Sequence, residues 1–152
     1  MSLVSFPSWG LTMGDLVERE GVYYKKFTDV PFTGEVVGKE QGQFKDGKKH
    51  GKWMKYYDSG QLWKKSFHID GKLNGVRLIY CENGSLSNRG AFNNGKGIGL
   101  IEMWDCEGNL KQTYLHQDGK ETIMTWYNEK GEIDQQMTSE EYFNRLNNLG
   151  KD

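Results

Sequence analysis

The chain has 152 residues, a net charge of −1, 20 glycines against 2 prolines, and 13% aromatic residues. Its length suits one domain, and the aromatic content together with the low net charge excludes a disordered chain. Abundant glycine and aromatic residues are typical of short strands joined by tight turns and argue against a helix bundle.

Residues 1–17 show no steady hydrophobic period, and we predict an irregular N-terminal lead-in there. They lack a basic segment followed by an apolar core, so they do not resemble a signal peptide. No apolar run approaches the roughly 20 residues of a membrane span, so no transmembrane segment is predicted. We therefore expect a cytoplasmic protein, with a periplasmic or secreted location left open if a signal was removed.

A glycine pattern with a period of 24 residues organises residues 18–136. Each copy carries three glycines at fixed offsets: Gly47, Gly51 and Gly60, then Gly71, Gly75 and Gly84, then Gly95, Gly99 and Gly108. A fourth copy opens at Gly119 and loses one residue before Gly131. A fixed period of this length indicates a repeat architecture.

Each repeat is predicted to form a β-hairpin, because Asp-Gly and Asn-Gly pairs are strong hairpin-turn signals. The predicted fold is all-β: an elongated antiparallel meander of tandem 24-residue hairpins. In this fold, residues at the same repeat position form columns across the sheet. The columns are Tyr56, Tyr80, Trp104 and Tyr127; Leu62, Leu86, Leu110 and Ile133; Phe44, His68, Phe92 and His116; and the small residues Gly42, Ser66 and Gly90. A large ring lying over a neighbouring glycine would compensate for its missing side chain.

Simple two-residue alternation places Trp53 on the same sheet face as Trp63, Lys65 and Phe67, and on the opposite face from Ser66. Both faces then carry apolar side chains, so one must be covered by the N-terminal segment, the C-terminal helix or a second copy of the chain.

Residues 38–77 hold 10 lysines and arginines against 4 acidic residues. Basic and aromatic side chains together could bind an anionic lipid surface, another polyanion such as single-stranded nucleic acid, or an acidic partner. A covered or solvated sheet surface is the preferred explanation, and no specific nucleic-acid partner is predicted. The candidate interaction surface consists of Trp53, Lys55, Tyr57, Trp63, Lys65, Phe67, Lys48, Lys49 and Lys64.

Residues 137–152 have a different pattern, which predicts a short helix from about Ser139 to Leu149, ended by Gly150. Thr138 and Glu141 have the spacing of a capping box. We expect this helix to pack on the last repeat and shield that end.

No catalytic residue, metal site or cofactor is predicted, and the protein is expected not to be an enzyme. His68 and His116 share a column but are four strands apart, about 19 Å, which is too far for a shared zinc ion. Cys81 and Cys106 occupy adjacent columns. If both were in strands, alternation would point them to opposite faces, which disfavours a bond between them.

The repeat that begins Gly47-Lys48 and continues through Gly51, Trp53 and Tyr56-Tyr57-Asp58 to Gly60-Gln61-Leu62 resembles a MORN-repeat variant. This variant is found in bacterial YwqK-like proteins that are often labelled antitoxins. The resemblance spans residues 18–135 and implies one β-hairpin per repeat, with a scaffold or interaction role. Related MORN arrays are associated with protein dimers and anionic lipid surfaces. The hypotheses are therefore a protein-binding or self-associating scaffold, an anionic-surface binder, and the antitoxin of a toxin–antitoxin pair.

Overall fold

A computed structural model describes residues 10–116 and 122–148. Within these residues an eleven-stranded sheet follows the order β13-β12-β11-β10-β9-β8-β6-β5-β4-β3, with β7 paired to β6, and β1 and β2 form a separate hairpin. Every strand pairing is antiparallel, so the predicted all-β meander is confirmed. The elements are a 3₁₀ turn (Met13–Asp15), β1 (Leu16–Arg19), β2 (Val22–Lys25), β3 (Gly34–Val36), β4 (Glu40–Lys45), β5 (Lys48–Tyr56), β6 (Leu62–Ile69), β7 (Lys72–Leu73), β8 (Gly75–Tyr80), β9 (Leu86–Asn93), β10 (Lys96–Trp104), β11 (Leu110–His116), β12 (Thr122–Tyr127), β13 (Ile133–Thr138) and α1 (Ser139–Asn148).

Two-residue turns close one end of the hairpins. Asp70 and Gly71 have φ values of 49° and 84°, and the equivalent pairs Asp46-Gly47 and Asn94-Gly95 also have positive φ at both residues. Positive φ at both central residues defines the type I′ turn, whose twist matches that of the flanking strands. The Gly71 N–H donates to the Lys49 carbonyl at 2.8 Å. This bond ties the turn to the preceding hairpin, and the bond from the Gly95 N–H to the Leu73 carbonyl does the same one repeat later.

An aromatic residue lies directly opposite an aliphatic one at the other end of each hairpin. The predicted columns meet in the pairs Tyr56–Leu62, Tyr80–Leu86, Trp104–Leu110 and Tyr127–Ile133. Next to each pair the register shifts by one residue. In the first hairpin Lys55 faces Lys64 while Tyr56 faces Leu62, which leaves Trp63 with no opposite residue. This is a β-bulge, and it repeats with the sequence.

The repeated bulge makes the face assignment by simple alternation wrong. Trp53 lies opposite Gly42 on one side and Ser66 on the other, so these three residues share a face. Lys65 faces Met54 and belongs to the other side of the sheet. Because the extra residue of the bulge, Trp63, lies between Leu62 and Lys64 on β6, every residue of β6 beyond it changes face relative to unbroken alternation. We call the side of Trp53 the inner face and the side of Lys65 the outer face.

The small residues of the inner face lie beneath large neighbours. The Trp53 indole would be 2.6 Å from a Cβ added to Gly42, and Ile101 would be 2.9 Å from a Cβ on Gly90. Trp53 is only 3% exposed. The prediction that a large ring covers a strand glycine is thus confirmed at Gly42.

Both ends of the inner face are covered by the chain itself. At the first end, Leu16 of the β1–β2 hairpin packs with Val36, Phe44 and Trp53 in one buried cluster. At the last end the Tyr142 ring of α1 lies 5.8 Å from the Trp126 ring.

The C-terminal helix is present as predicted, and it begins with the predicted capping box. The Glu141 N–H donates to Thr138 Oγ1 at 3.2 Å, and the Thr138 N–H donates to Glu141 Oε2 at 2.8 Å. The expected final residues, Leu149 and Gly150, lie outside the described residues.

The prediction that Cys81 and Cys106 do not pair is wrong, because they form a disulfide with a Cα–Cα distance of 5.7 Å. The error came from treating both residues as members of strands. Strand β8 ends at Tyr80 and β10 ends at Trp104, so both cysteines lie in turns, where alternation does not apply. The bond joins neighbouring turns of consecutive repeats and is compatible with more than one cellular compartment.

Replacing both cysteines by serine should lower the free energy of unfolding by about 3 kcal/mol, because the bond closes a loop of 25 residues. Chemical denaturation of the wild type with and without reductant measures the same loss, and reductant should not affect the double variant. A non-reducing peptide map that recovers two free thiols would contradict this disulfide.

Candidate functional site

The structure distributes the predicted surface residues over both faces. Lys49, Trp53, Lys55 and Lys64 lie on the inner face, as their pairing with Phe44, Gly42 and Ser66 requires. Lys65 and Phe67 lie on the outer face. Tyr57 and Trp63 lie at the bulge, with ring centroids 5.9 Å apart, and Lys48 lies beside the Asp70-Gly71 turn. The nine residues therefore do not form one surface.

The inner-face group surrounds a narrow cleft of about 40 Å³, which we call the basic cleft. It is lined by Glu40, Lys49, Trp53, Met54, Lys55, Lys64, Ser66 and His68. The Glu40 carboxylate accepts a hydrogen bond from Lys49 Nζ and lies 3.7 Å from Lys55 Nζ. Lys49 Nζ also lies 4.1 Å from the centroid of the Trp53 ring, a cation–π contact.

Positive charge dominates the basic cleft. Burial lowers the pKa of Lys64, and the nearby charges of Arg77 and Lys49 lower it further. Burial acts to raise the pKa of Glu40, but the hydrogen bond and charge of Lys49 outweigh it, so the pKa is lowered overall. Glu40 is therefore an ionised carboxylate among several cations at neutral pH.

His68 is a neutral, poorly partnered ring in this environment. Burial, followed by the charges of Lys49 and Lys64, lowers the pKa of His68 to about 4. Its Nδ1 atom is buried without a hydrogen-bond partner, and so is Nε of Arg77. Arg77 instead lies over the Phe92 ring at 4.6 Å and donates from Nη2 to Asn88 Oδ1 at 3.0 Å. Buried polar atoms in proteins are usually hydrogen-bonded to protein, ligand or ordered water, so these two atoms have room for such a partner.

A wider aromatic cleft of about 530 Å³ adjoins the basic cleft and shares Lys55 with it. Lys55 Nζ lies 4.7 Å from the Trp63 ring centroid. The Tyr57 hydroxyl donates to the Tyr80 carbonyl at 2.8 Å. This hydrogen bond holds the Tyr57 ring against the next repeat. Lys39 and Asp58 form an exposed ion pair at its rim.

A row of exposed apolar side chains crosses the outer face, and the sequence patterns did not reveal it. Phe67, Val76, Ile98 and Leu100 are 44%, 55%, 46% and 48% exposed. The strand pairs Val76–Ala91–Ile98 and Leu100–Leu115–Ile123 continue this row as far as β12. We call these residues the apolar stripe.

Beside the stripe runs a polar row that includes Lys65 and the ion pair between Arg89 and Glu102. Locating the stripe requires knowledge of the bulges, because unbroken alternation assigns these residues to different faces.

Two further observations concern the part of the chain that the structure describes. There, no cluster of three or more histidine, cysteine or acidic side chains has a geometry that could hold a metal ion. Among the same residues, no helix combines the length and apolar character needed to cross a membrane.

Comparison with protein-family models, with curated proteins and with solved structures finds no match for this chain. The fold defines the class of the protein as an antiparallel β-repeat protein with a helical end. The resemblance to MORN repeats stays a prediction.

The lowered pKa of His68 makes the folded protein sensitive to acid. In the unfolded chain His68 has its ordinary pKa of 6.5, whereas in the folded protein its pKa is about 4. The unfolded chain therefore binds more protons than the folded protein between these two pH values. Stability is therefore lost as the pH falls between these values, by about 2 kcal/mol from pH 7 to pH 5.

The matched variant is His68→Phe, because phenylalanine occupies the same column at Phe44 and Phe92. Urea denaturation at pH 7 and pH 5 should show a smaller loss in the variant than in the wild type. Equal losses in the two proteins would show that His68 is not the titrating group.

Proposed function

We propose that this protein is a non-enzymatic repeat scaffold that associates with a second copy of itself through the apolar stripe. The observation that carries the proposal is the position of the chain's own covering elements. The β1–β2 hairpin and α1 both pack on the inner face, through Phe44 and Trp126. Phe67, Val76, Ile98 and Leu100 on the outer face stay exposed. Contiguous exposed apolar surface of this kind is typical of interaction sites.

The dimensions of the outer face suit a dimer of this chain. The stripe crosses six strands, β6 and β8 to β12, which is about 24 Å at 4.8 Å per strand spacing. Six strands of about 25 Å length present roughly 600 Å² on each copy, near the lower limit of a stable interface. Two such faces stack at about 10 Å, as in a β-sandwich.

Charge beside the stripe also favours a second copy as the partner. The polar row carries both signs, with Lys65 and Arg89 positive and Glu102 negative. In a two-fold dimer each residue meets the partner's copy of another residue, so a row of mixed sign can be self-complementary. The resemblance to MORN arrays, which are associated with protein dimers, supports the same proposal.

Replacing Leu100 by Glu should shift the protein from dimer to monomer, because it places a charge in the centre of the buried stripe. We expect at least about a tenfold rise in the dimer dissociation constant, measured by analytical ultracentrifugation.

Met103→Glu is the matched control. Met103 lies on the same strand and is 36% exposed, but it pairs with Asn88 on the inner face. The control should dimerise like the wild type. A wild type that stays monomeric at high concentration would overturn the proposal, and equal dissociation of both variants would move the interface away from the stripe.

A further inference from the structure

The charges in the basic cleft do not balance. Lys49 and Lys55 share the single carboxylate of Glu40. In the described part of the chain, Lys64 and Arg77 form no ion pair with a carboxylate. Lys64 is near enough to Arg77 and Lys49 for both to disfavour its own charge. The three lysines that line the cleft and the neighbouring Arg77 have one carboxylate among them, and this excess of positive charge is one that an anion would relieve.

The same cleft contains polar groups suited to an anion. Ser66 is 3% exposed and His68 is 9% exposed, and both line the cleft with Lys64. The buried Nδ1 of His68 has no hydrogen-bond partner. With His68 in the tautomer that carries its proton on Nδ1, an ammonium group, a hydroxyl and a ring N–H supply several donors from one strand face, and a ligand oxygen could accept from this N–H.

We infer that the basic cleft binds one small oxyanion of the phosphate class, between Lys64, Ser66 and His68. A cleft of about 40 Å³ that opens to solvent admits a single small group. The side chains of Lys49 and Glu40 are only 22% and 23% exposed. The charged groups of the cleft therefore lie below the protein surface, where a flat membrane would reach them poorly. Lys65 is on the opposite face and takes no part. This site is independent of the proposed dimer, which uses the outer face.

Glu40 has a distinct role in this inference. Its carboxylate occupies the side of the cleft nearest Lys49 and Lys55, where it acts as an internal competitor for the oxyanion. Removing its charge should therefore strengthen anion binding, because a like charge is removed from the site. If Glu40 and Lys49 form only a structural ion pair and the cleft holds no anion, the same change gives no saturable phosphate binding.

The test uses the full chain and inorganic phosphate, titrated at constant ionic strength with chloride as the balancing anion. The indole N–H resonance of Trp53 reports on the site, because Lys49 lies over that ring. We expect saturable binding to the wild type and at least about threefold tighter binding to Glu40→Gln. Lys64→Gln should bind roughly tenfold more weakly, because it loses a charge-assisted hydrogen bond.

Lys65→Gln is the matched control, since it removes the same charge from the next residue on the opposite face. It should bind phosphate like the wild type, and the circular dichroism of all variants should match. Equal weakening by Lys64→Gln and Lys65→Gln would reduce the effect to net charge and overturn the inference. Absence of saturable phosphate binding to Glu40→Gln would overturn it as well.

A second arm separates a free oxyanion from a lipid headgroup. Vesicles of equal parts phosphatidylcholine and phosphatidylserine are offered to the same proteins, and binding is measured by co-sedimentation. We expect no co-sedimentation of the protein with these vesicles that depends on Lys64. Vesicle binding lost in Lys64→Gln, with no saturable binding of free phosphate, would contradict a small-oxyanion site.

Discussion

The arrangement of both faces depends on one constraint, the single-residue register shift beside each aromatic–aliphatic pair. Tyr56 faces Leu62, but the next residue of β5, Lys55, faces Lys64. A shift of one residue in a strand of period two sends every later side chain to the other face. Because the shift recurs with the repeat, the side-chain rows of successive hairpins stay aligned.

Trp53 shows what this constraint achieves. The shift places its ring on the inner face, over Gly42 and opposite Ser66, where it packs at 4.9 Å against Phe44. The same ring supports the Lys49 ammonium on its face, so a single side chain joins the core of the first repeats to the charges of the basic cleft. The hydrophobic packing and the electrostatics of this region are therefore coupled through one residue.

The two faces consequently have different chemistry. The inner face is closed by the chain's own hairpin and helix at its ends, and its middle carries long cationic side chains that lie over aromatic rings. These stems cover apolar surface while their charged ends stay near water. No element among the described residues 10–116 and 122–148 covers the outer face in this way, and its exposed Val76 and Leu100 lie beside a polar row. We therefore propose separate roles for the two faces of this sheet, with a small oxyanion bound on the inner face and a second copy of the chain on the outer face.

Much of the fold could be predicted from the sequence, because local signals determine it. Asp70-Gly71 requires positive φ at two residues, and the spacing of Thr138 and Glu141 defines a helix start; both features are present as expected. The columns of Tyr56 and Leu62 were also predictable, because a fixed period aligns equivalent residues in neighbouring hairpins.

The candidate site was much less predictable, and the reason is geometric. A bulge leaves no clear mark in the sequence, so simple alternation puts Trp53 and Lys65 on the same face. The disulfide was missed for a related reason, because Cys81 lies just beyond a strand end that the pattern does not locate to within one residue. The excess of positive charge around Glu40 depends on which lysines share its face. It can be recognised only once the register of the strand pairs is known.

The most direct test of the register is the set of nuclear Overhauser contacts of the Trp53 indole ring. The account predicts strong contacts from the ring to the α-protons of Gly42 and to the β-protons of Ser66, with none to Phe67. Contacts from the ring to the side chains of Lys65 or Phe67, without those to Gly42 and Ser66, would contradict the bulge and the assignment of both faces.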